Sequence, residues 1–351
     1  MTQTFNGSYT VTVTPFTPGG AEIDYEAWQG FLDWQLACGV PGIIILGTTG
    51  EFLTITDTER AAFVEATIKY LASRMVVIVG SMNAYTPNAV RYAKQAQYLG
   101  ADGLMILPPY YYMPTEDEIF AYYRAICEGC DLPIMLYNNP FTSNVDMSAA
   151  LVGRLTKSFD QIRYIKEASQ RIERIHDIIV ESDGLMSVWA GQRVLESYKM
   201  GAKGYVNPYG NYIPRASVKF VEWAEQARWD DVWAVQRVIA KFDMIITEGN
   251  TGHSHIDKDT IGTGKVEMKR LDSLNFDRID YMKIDCEGYE MQILKGGEHT
   301  IRTHQPVLVV EQKLHTDTGI TKETQYGCVE LLKTWGAREL GRVRNDCILG
   351  W

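Results

Sequence analysis

The chain has 351 residues, 46% of them hydrophobic and 22% charged, enough for one large domain and a smaller one, since an α/β barrel takes about 250 residues. A net charge of −10 argues against nucleic acid as the main partner, because phosphate binding needs a clustered positive field; a small anion held by local donors is still compatible with it. Residues 1–8 carry no basic region followed by an apolar core, and no run of about 18 apolar residues occurs, so the expectation is a cytoplasmic protein with no membrane partner.

Short β-rich runs alternate with longer amphipathic ones from the start. Residues 9–16 predict a strand and 25–38 a helix, in which Trp28, Phe31, Leu32 and Gln35 recur at helical spacing. The unbroken aliphatic run 42–47 predicts a strand covered on both faces. Helices over 57–72, 87–99 and 115–127 alternate with strands over 76–80, 103–108 and 134–138, and Pro87 suits a first helical turn. Helix 147–156, strand 162–168, helix 172–180, strand 186–191, helix 194–200 and strand 204–207 continue the alternation. From 215 to about 247 the chain is long for one helix and carries Trp223, Trp229 and Trp233; it predicts two helices broken near 227–230. Eight strand–helix units at a spacing of about 25 to 30 residues predict a closed parallel (β/α)8 TIM barrel. No Gly-x-Gly-x-x-Gly follows the first strand, which argues against a dinucleotide fold.

At about residue 248 the character changes. Residues 249–255 and 262–264 are polar and glycine-spaced and read as a linker, dividing a barrel with flanking helices, 1–248, from a smaller segment, 249–351. Strands at 279–284 and 306–311, a helix from about 289 between them and a terminal strand near 347–351 predict a small, incomplete Rossmann-like α/β layer. Cys127 and Cys130 have C-x-x-C spacing, but no second pair follows at zinc spacing, so a structural role is expected. Gly252-His253-Ser254-His255 lacks carboxylate or cysteine partners and reads as a solvated loop; no metal site is expected.

In a TIM barrel the reacting groups come from the C-terminal ends of the strands. Lys166 ends the sixth strand, and Ile162, Tyr164 and Lys166 share one parity, so an interior position for the first two predicts one for the lysine. Burial disfavours an ammonium and makes an amine a nucleophile able to form an imine with a carbonyl substrate, although a lysine ending its strand can also snorkel to solvent. Its company decides between the two. The turn Gly47-Thr48-Thr49-Gly50-Glu51 offers two hydroxyls and backbone N–H groups suited to a carboxylate, Tyr110, Tyr111 and Tyr112 follow the fourth strand, and Tyr137-Asn138-Asn139-Pro140 ends the fifth. Taken singly these read as a loop, an interface patch and a core aromatic; at one rim they point to catalysis.

Residues 1 to about 248 resemble the dihydrodipicolinate synthase and N-acetylneuraminate lyase superfamily of Schiff-base aldolases. The resemblance rests on Thr-Pro-Phe at 14–16, Gly-Thr-Thr-Gly-Glu at 47–51, Pro-Tyr-Tyr at 109–111, Tyr-Asn-x-Pro at 137–140, Ile-Lys-Glu-Ala at 165–168 and Ala-Gly at 190–191. It implies a metal-independent lyase in which a pyruvate-like 2-oxo acid condenses with Lys166, its carboxylate held by Thr49 and the backbone of the Gly47, Gly50 and Glu51 turn. It further implies that Tyr137 shuttles protons at the imine, that Thr48 and Tyr111 extend the relay, that Gly191, Val206 and Asn207 line the site, and that a neighbouring subunit lends the tyrosine, so a dimer or tetramer. Where the synthases carry an arginine that grips the second substrate, this chain has Thr142, and Gln192-Arg193 replace the acidic residues usual after Gly191. With Asn207, Tyr209 and Asn211 ending the eighth strand, this favours a 2-keto-3-deoxy sugar acid over the 4-hydroxy-tetrahydrodipicolinate synthase reaction. A barrel that has lost activity and serves as a scaffold is the alternative from another class.

The last hundred or so residues resemble the second half of FkbM-type S-adenosylmethionine methyltransferases, through Leu271-Asp272-Ser273-Leu274, residues 282–290 and Leu294-Lys295-Gly296-Gly297. In that fold the cofactor sits on the first strands, and here a barrel stands in their place. S-adenosylmethionine binding is therefore not expected, and Asp285 and Glu287 are expected to serve structural hydrogen bonding.

Overall fold

The computed structural model describes residues 4–236 and, within 271–351, all but 274–275, 277–278, 280, 285–289, 312–321 and 344–345. The predicted linker, the Gly252 to His255 stretch, Asp285 and Glu287 lie outside the described residues. The chain separates into two compact units, Met1–Arg237 and Val238–Trp351.

The first unit runs β1 (Gly7–Val11), α1 (Tyr25–Ala37), β2 (Gly42–Ile45), α2 (Asp57–Leu71), β3 (Val76–Gly80), α3 (Thr86–Leu99), β4 (Gly103–Ile106) and α4 (Glu116–Gly129). It continues with β5 (Ile134–Asn138), α5 (Pro140–Ser143), α6 (Ala149–Ser158), β6 (Ile162–Glu167), α7 (Glu173–Glu181), β7 (Ser187–Ala190), α8 (Val194–Lys199), β8 (Gly204–Asn207) and α9 (Pro214–Glu225). A further helix, α10, spans 229–236, and Ala227 with φ +56° marks the break that the sequence predicts. Each strand pairs in parallel with the next and β8 returns to β1, closing the predicted barrel. Strand residues alternate between two cores: Tyr9, Ile44, Met105, Met135 and Trp189 fill the barrel, while Ile43, Ile45, Val77 and Leu104 pack under the helices.

Two expectations need correction. β1 ends at Val11 rather than running to residue 16: the Val13 N–H goes to the Asn211 side chain at 3.1 Å and the Thr14 hydroxyl to the Gly50 carbonyl at 2.8 Å, and Pro15 has no N–H with which to resume the ladder. The parity argument for Lys166 holds from Tyr164 but not from Ile162. The β5–β6 register slips so that Ile134 pairs with Ile162 but Met135 with Tyr164, leaving Arg163 as an extra residue. Ile162 therefore packs under the helices while Tyr164 enters the barrel. The Arg163 guanidinium secures the bulge, donating to the carbonyls of Thr156 at 2.8 Å and of Phe159 and Ile162 at 2.9 Å.

Burial pushes the Cys127 thiol up to about 12 and raises Cys130 as well, while the Cys130 Sγ contacts the Ala93 carbonyl at 3.6 Å. Burial of this kind disfavours the thiolate, the form that binds metals. Among the described residues no His, Cys, Asp and Glu cluster could hold a metal, and no helix is long and apolar enough to cross a membrane.

The second unit forms β9 (Tyr281–Ile284), α11 (Glu290–Gly296), α12 (Glu298–His304), β10 (Val307–Glu311), α13 (Lys322–Thr334), β11 (Arg338–Val343) and β12 (Asp346–Gly350). Its sheet has the order β11-β12-β10-β9, parallel between β9 and β10 and antiparallel elsewhere. Ile284, Leu294, Ile301, Leu308, Val310 and Leu349 are buried together as a core of its own. Among the described residues β9 and β11 are the two edges of the sheet.

Candidate active site

The site is built on one rung of the barrel. Tyr137 on β5 pairs with Lys166 on β6, both side chains point inward, and they are 3% and 8% exposed. Lys166 Nζ lies 4.0 Å from the centre of the Tyr137 ring. Asn139 Nδ2 donates to the phenol oxygen at 2.8 Å, and Thr48 and Lys166 also hydrogen-bond it. Burial pushes the Tyr137 phenol up, but the Lys166 charge, joined by the bonds from Asn139, Lys166 and Thr48, outweighs burial and holds it below its ordinary 10.0. A phenol depressed in this way beside a buried lysine is the kind of pairing that acid–base chemistry draws on.

The remaining sequence candidates divide into those at this rim and those spent on the fold. In the Gly47 to Glu51 turn, the Gly50 N–H goes to the Gly47 carbonyl and the Glu51 N–H to the Thr48 carbonyl, both at 3.1 Å, whereas among the described residues no backbone carbonyl takes the Thr48 or Thr49 N–H. Those two amides and the threonine hydroxyls are the turn's donors. Gly47 is fixed by space, since a Cβ there would meet Val11 Cγ2 at 2.8 Å, and Gly191 likewise lies against the Glu167 carbonyl, 2.8 Å from where its Cβ would be. Val206 faces the barrel interior, fully buried. Thr142 is exposed on α5, its N–H bonded to the Asn139 carbonyl at 3.2 Å. Tyr111 is 77% exposed, edge-on to Tyr112, and is not among the partners of Tyr137.

Asn207 and Asn211 are the corrections. Asn207 is fully buried with opposite parity to Val206, donating to Ser8 Oγ at 3.1 Å and accepting from the Tyr209 N–H at 2.8 Å. Asn211 accepts from the Val13 N–H at 3.1 Å and donates to the Val11 and Pro208 carbonyls at 2.8 Å. Both side chains stitch β8 to β1 instead of offering groups to a substrate.

Leu46, Glu51, Tyr111, Gln170 and Arg193 all have positive φ, and all follow barrel strands. Backbone held out of its ordinary region costs about 1–3 kcal/mol per residue, and here it gathers at the C-terminal rim.

A second set of residues escapes the sequence reading. Glu167, next to Lys166 but facing outward, is 5% exposed; its carboxylate accepts from the Ser169 N–H at 2.7 Å, from Asn138 Nδ2 at 3.1 and 3.3 Å, and from Arg174 Nε at 3.2 Å. Arg174, on α7, is itself 7% exposed and donates to the Met147 carbonyl, while Asn138 accepts from the Met147 N–H at 3.0 Å. This buried cluster ties the ends of β5 and β6 to α7 and so fixes the rung above it. The only hint in the sequence is Glu167 and Arg174 seven positions apart, across a strand end and a helix start. Arg174→Met strips a buried carboxylate of its cation, and the expected cost is about 3 kcal/mol of unfolding free energy by denaturant titration, partly recovered by adding Glu167→Gln. A loss under about 1 kcal/mol would mean that the pair does not clamp the rung.

Residues 4–256 match the Dihydrodipicolinate synthetase family, and residues 234–333 match the Methyltransferase FkbM domain. The 4-hydroxy-tetrahydrodipicolinate synthase of Fervidobacterium nodosum is 32% identical over 240 residues, covering 68% of this chain and 80% of that one. The solved dihydrodipicolinate synthase of Bacillus anthracis superposes with a TM-score of 0.66 at 26% identity, covering 70% of this chain and 84% of that one. The enzyme from Acinetobacter baumannii, solved in complex with pyruvate, matches with a TM-score of 0.67 at 23% identity over 95% of this chain and 99% of its own, a likeness of fold. With its barrel matched over nearly its whole length, the chain belongs to the dihydrodipicolinate synthetase family of lyases.

Proposed function

We propose that Lys166 forms an imine with pyruvate and that the resulting carbon nucleophile condenses with an aldehyde, the reaction type of 4-hydroxy-tetrahydrodipicolinate synthase. The observation that carries this is the buried amine of Lys166, 4.0 Å from the ring of a phenol held below its ordinary range. Lys166, cationic at rest, first gives up one proton to solvent; the neutral amine then adds to the keto carbon, and a second proton moves from nitrogen to oxygen to give a carbinolamine. Tyr137 then protonates that hydroxyl, which leaves as water as the carbon–nitrogen double bond forms, and a phenolate faces the iminium. The phenolate takes a C3 proton, giving an enamine and restoring the phenol; the enamine C3 bonds to the aldehyde carbon, whose oxygen takes that proton from Tyr137, and water adds to the resulting iminium and releases the product from Lys166. The Thr48 and Thr49 amides with the Thr49 hydroxyl suit the substrate carboxylate, and exposed Tyr111, Tyr112 and Met113 suit a homo-oligomer in which one copy completes another's site.

The names of the curated relatives support the synthase reading over the sugar-acid one, and the commitment of Asn207 and Asn211 to the fold removes two of the groups that favoured a polyhydroxylated substrate. Thr142 leaves the acceptor's carboxylate without the family's arginine. Incubation with pyruvate and borohydride is expected to place a reduced adduct on Lys166 alone, located by peptide mass; an unmodified Lys166, or label spread over surface lysines, sinks the proposal. With pyruvate bound, aspartate semialdehyde is expected to condense faster than any sugar-derived aldehyde in a rate panel, and the reverse order would restore the sugar-acid reading.

For the second unit we propose no methyl transfer. Its described sheet lacks the strands that carry the cofactor in that fold, and β9 stands at its edge. Isothermal titration of the full chain with S-adenosylmethionine is expected to show no saturable heat at micromolar concentration; saturable binding would contradict this.

A further inference from the structure

Asn139 occupies the N-cap of α5, where an asparagine side chain ordinarily accepts from the first free N–H groups of the helix. It makes no such bond. The Thr142 and Ser143 N–H groups go to the Asn139 main-chain carbonyl at 3.2 and 3.1 Å, and the Ser143 hydroxyl donates to the same oxygen at 2.8 Å. The α5 turn is thus held through the backbone, and the Asn139 amide is turned back to donate to the Tyr137 oxygen at 2.8 Å. An asparagine followed by proline reads as a turn signal, so nothing in its spacing announces this role.

We infer that Asn139 is a positioning residue for the imine-forming step, holding the Tyr137 oxygen through its amide N–H while the phenol gives up its proton. This rests on the proposed roles of Lys166 and Tyr137. An amide N–H donates without accepting, so it fills one lone pair of the phenol and leaves the phenol's own proton to travel toward Thr48 or the departing hydroxyl of the carbinolamine. Once that proton has gone, the same N–H faces a phenolate, and a bond to a charged oxygen is stronger than one to a neutral phenol. The contribution is therefore larger after proton transfer than before it, which is the condition for accelerating the step rather than merely tightening binding.

The test uses the full chain with Asn139→Val, which removes the donor, and Asn139→Asp, which is isosteric, replaces a donor by an acceptor and supplies a folded comparison should the valine variant fail to fold. Tyr137 is followed by tyrosinate absorbance without substrate, each protein being read against its own Tyr137→Phe counterpart. Both variants are expected to ionise Tyr137 at higher pH than the wild type, the aspartate more so. Removing one hydrogen bond to a charged oxygen is expected to lower kcat roughly 10- to 100-fold, with the alkaline features of the pH–rate profile moving alongside the titration. KM for pyruvate is expected to stay within about twofold, as for an interaction made in the transition state. An unchanged titration in the folded variants overturns the inference, and so does a titration that moves while kcat does not. Failure of the underlying reading is a separate result, seen first as a wild-type protein that gives no reducible adduct with pyruvate, and the inference falls with it.

Discussion

A single rung of the β5–β6 ladder sets Tyr137 opposite Lys166 with both side chains inside the barrel, and most of the unusual features of this chain act to keep it so. The bulge at Arg163 decides the face: without the extra residue, the packing of Ile162 under the helices would carry the alternation on and turn Lys166 outward too. Glu167, Arg174 and Asn138 secure the same strand ends from outside, so inward chemistry and outward buried polar network are adjacent residues of one strand. Strained backbone positions follow β2, β4, β6 and β7 at the same end of the barrel.

Electrostatics sets Tyr137 apart from the other buried phenols. A buried phenol alone would be a weaker acid than one in water, and Tyr9 inside the barrel and Tyr122 on α4 outside it are both raised by that desolvation. Tyr137 is as buried as they are yet displaced in the opposite direction, because a cation and three hydrogen bonds face its oxygen or ring. The linked contribution to stability has a definite sign: with the folded value depressed, it is present in full above the unfolded value of about 10 and is lost as pH falls through the folded one.

The alternation of aliphatic runs with amphipathic ones was enough to find eight strand–helix units, and the placement of Lys166, Tyr137 and the Gly47 to Glu51 turn after strands was enough to gather them at one rim. What stayed hidden has a common physical character. The Arg163 bulge is an event between two strands, invisible to the periodicity of one. Asn207 and Asn211 look like substrate groups until Ser8, Val11 and Val13, nearly 200 residues away along the chain, are seen to consume them. Asn139 hides in a turn signal, and Glu167 and Arg174 look like ordinary surface charges until burial pairs them. In the second unit β11 has no apolar alternation to betray it, and Leu340 within it is 63% exposed.

The coupling between the charge of Lys166 and the acidity of Tyr137 is open to direct measurement. The direct measurement is the tyrosinate titration of Tyr137, by difference against Tyr137→Phe, in the wild type and in Lys166→Met. With the cation removed and burial retained, the phenol is expected to move from below its ordinary 10.0 to above it. A titration that stays where it was in the wild type would show that the lysine and the phenol are neighbours without being coupled.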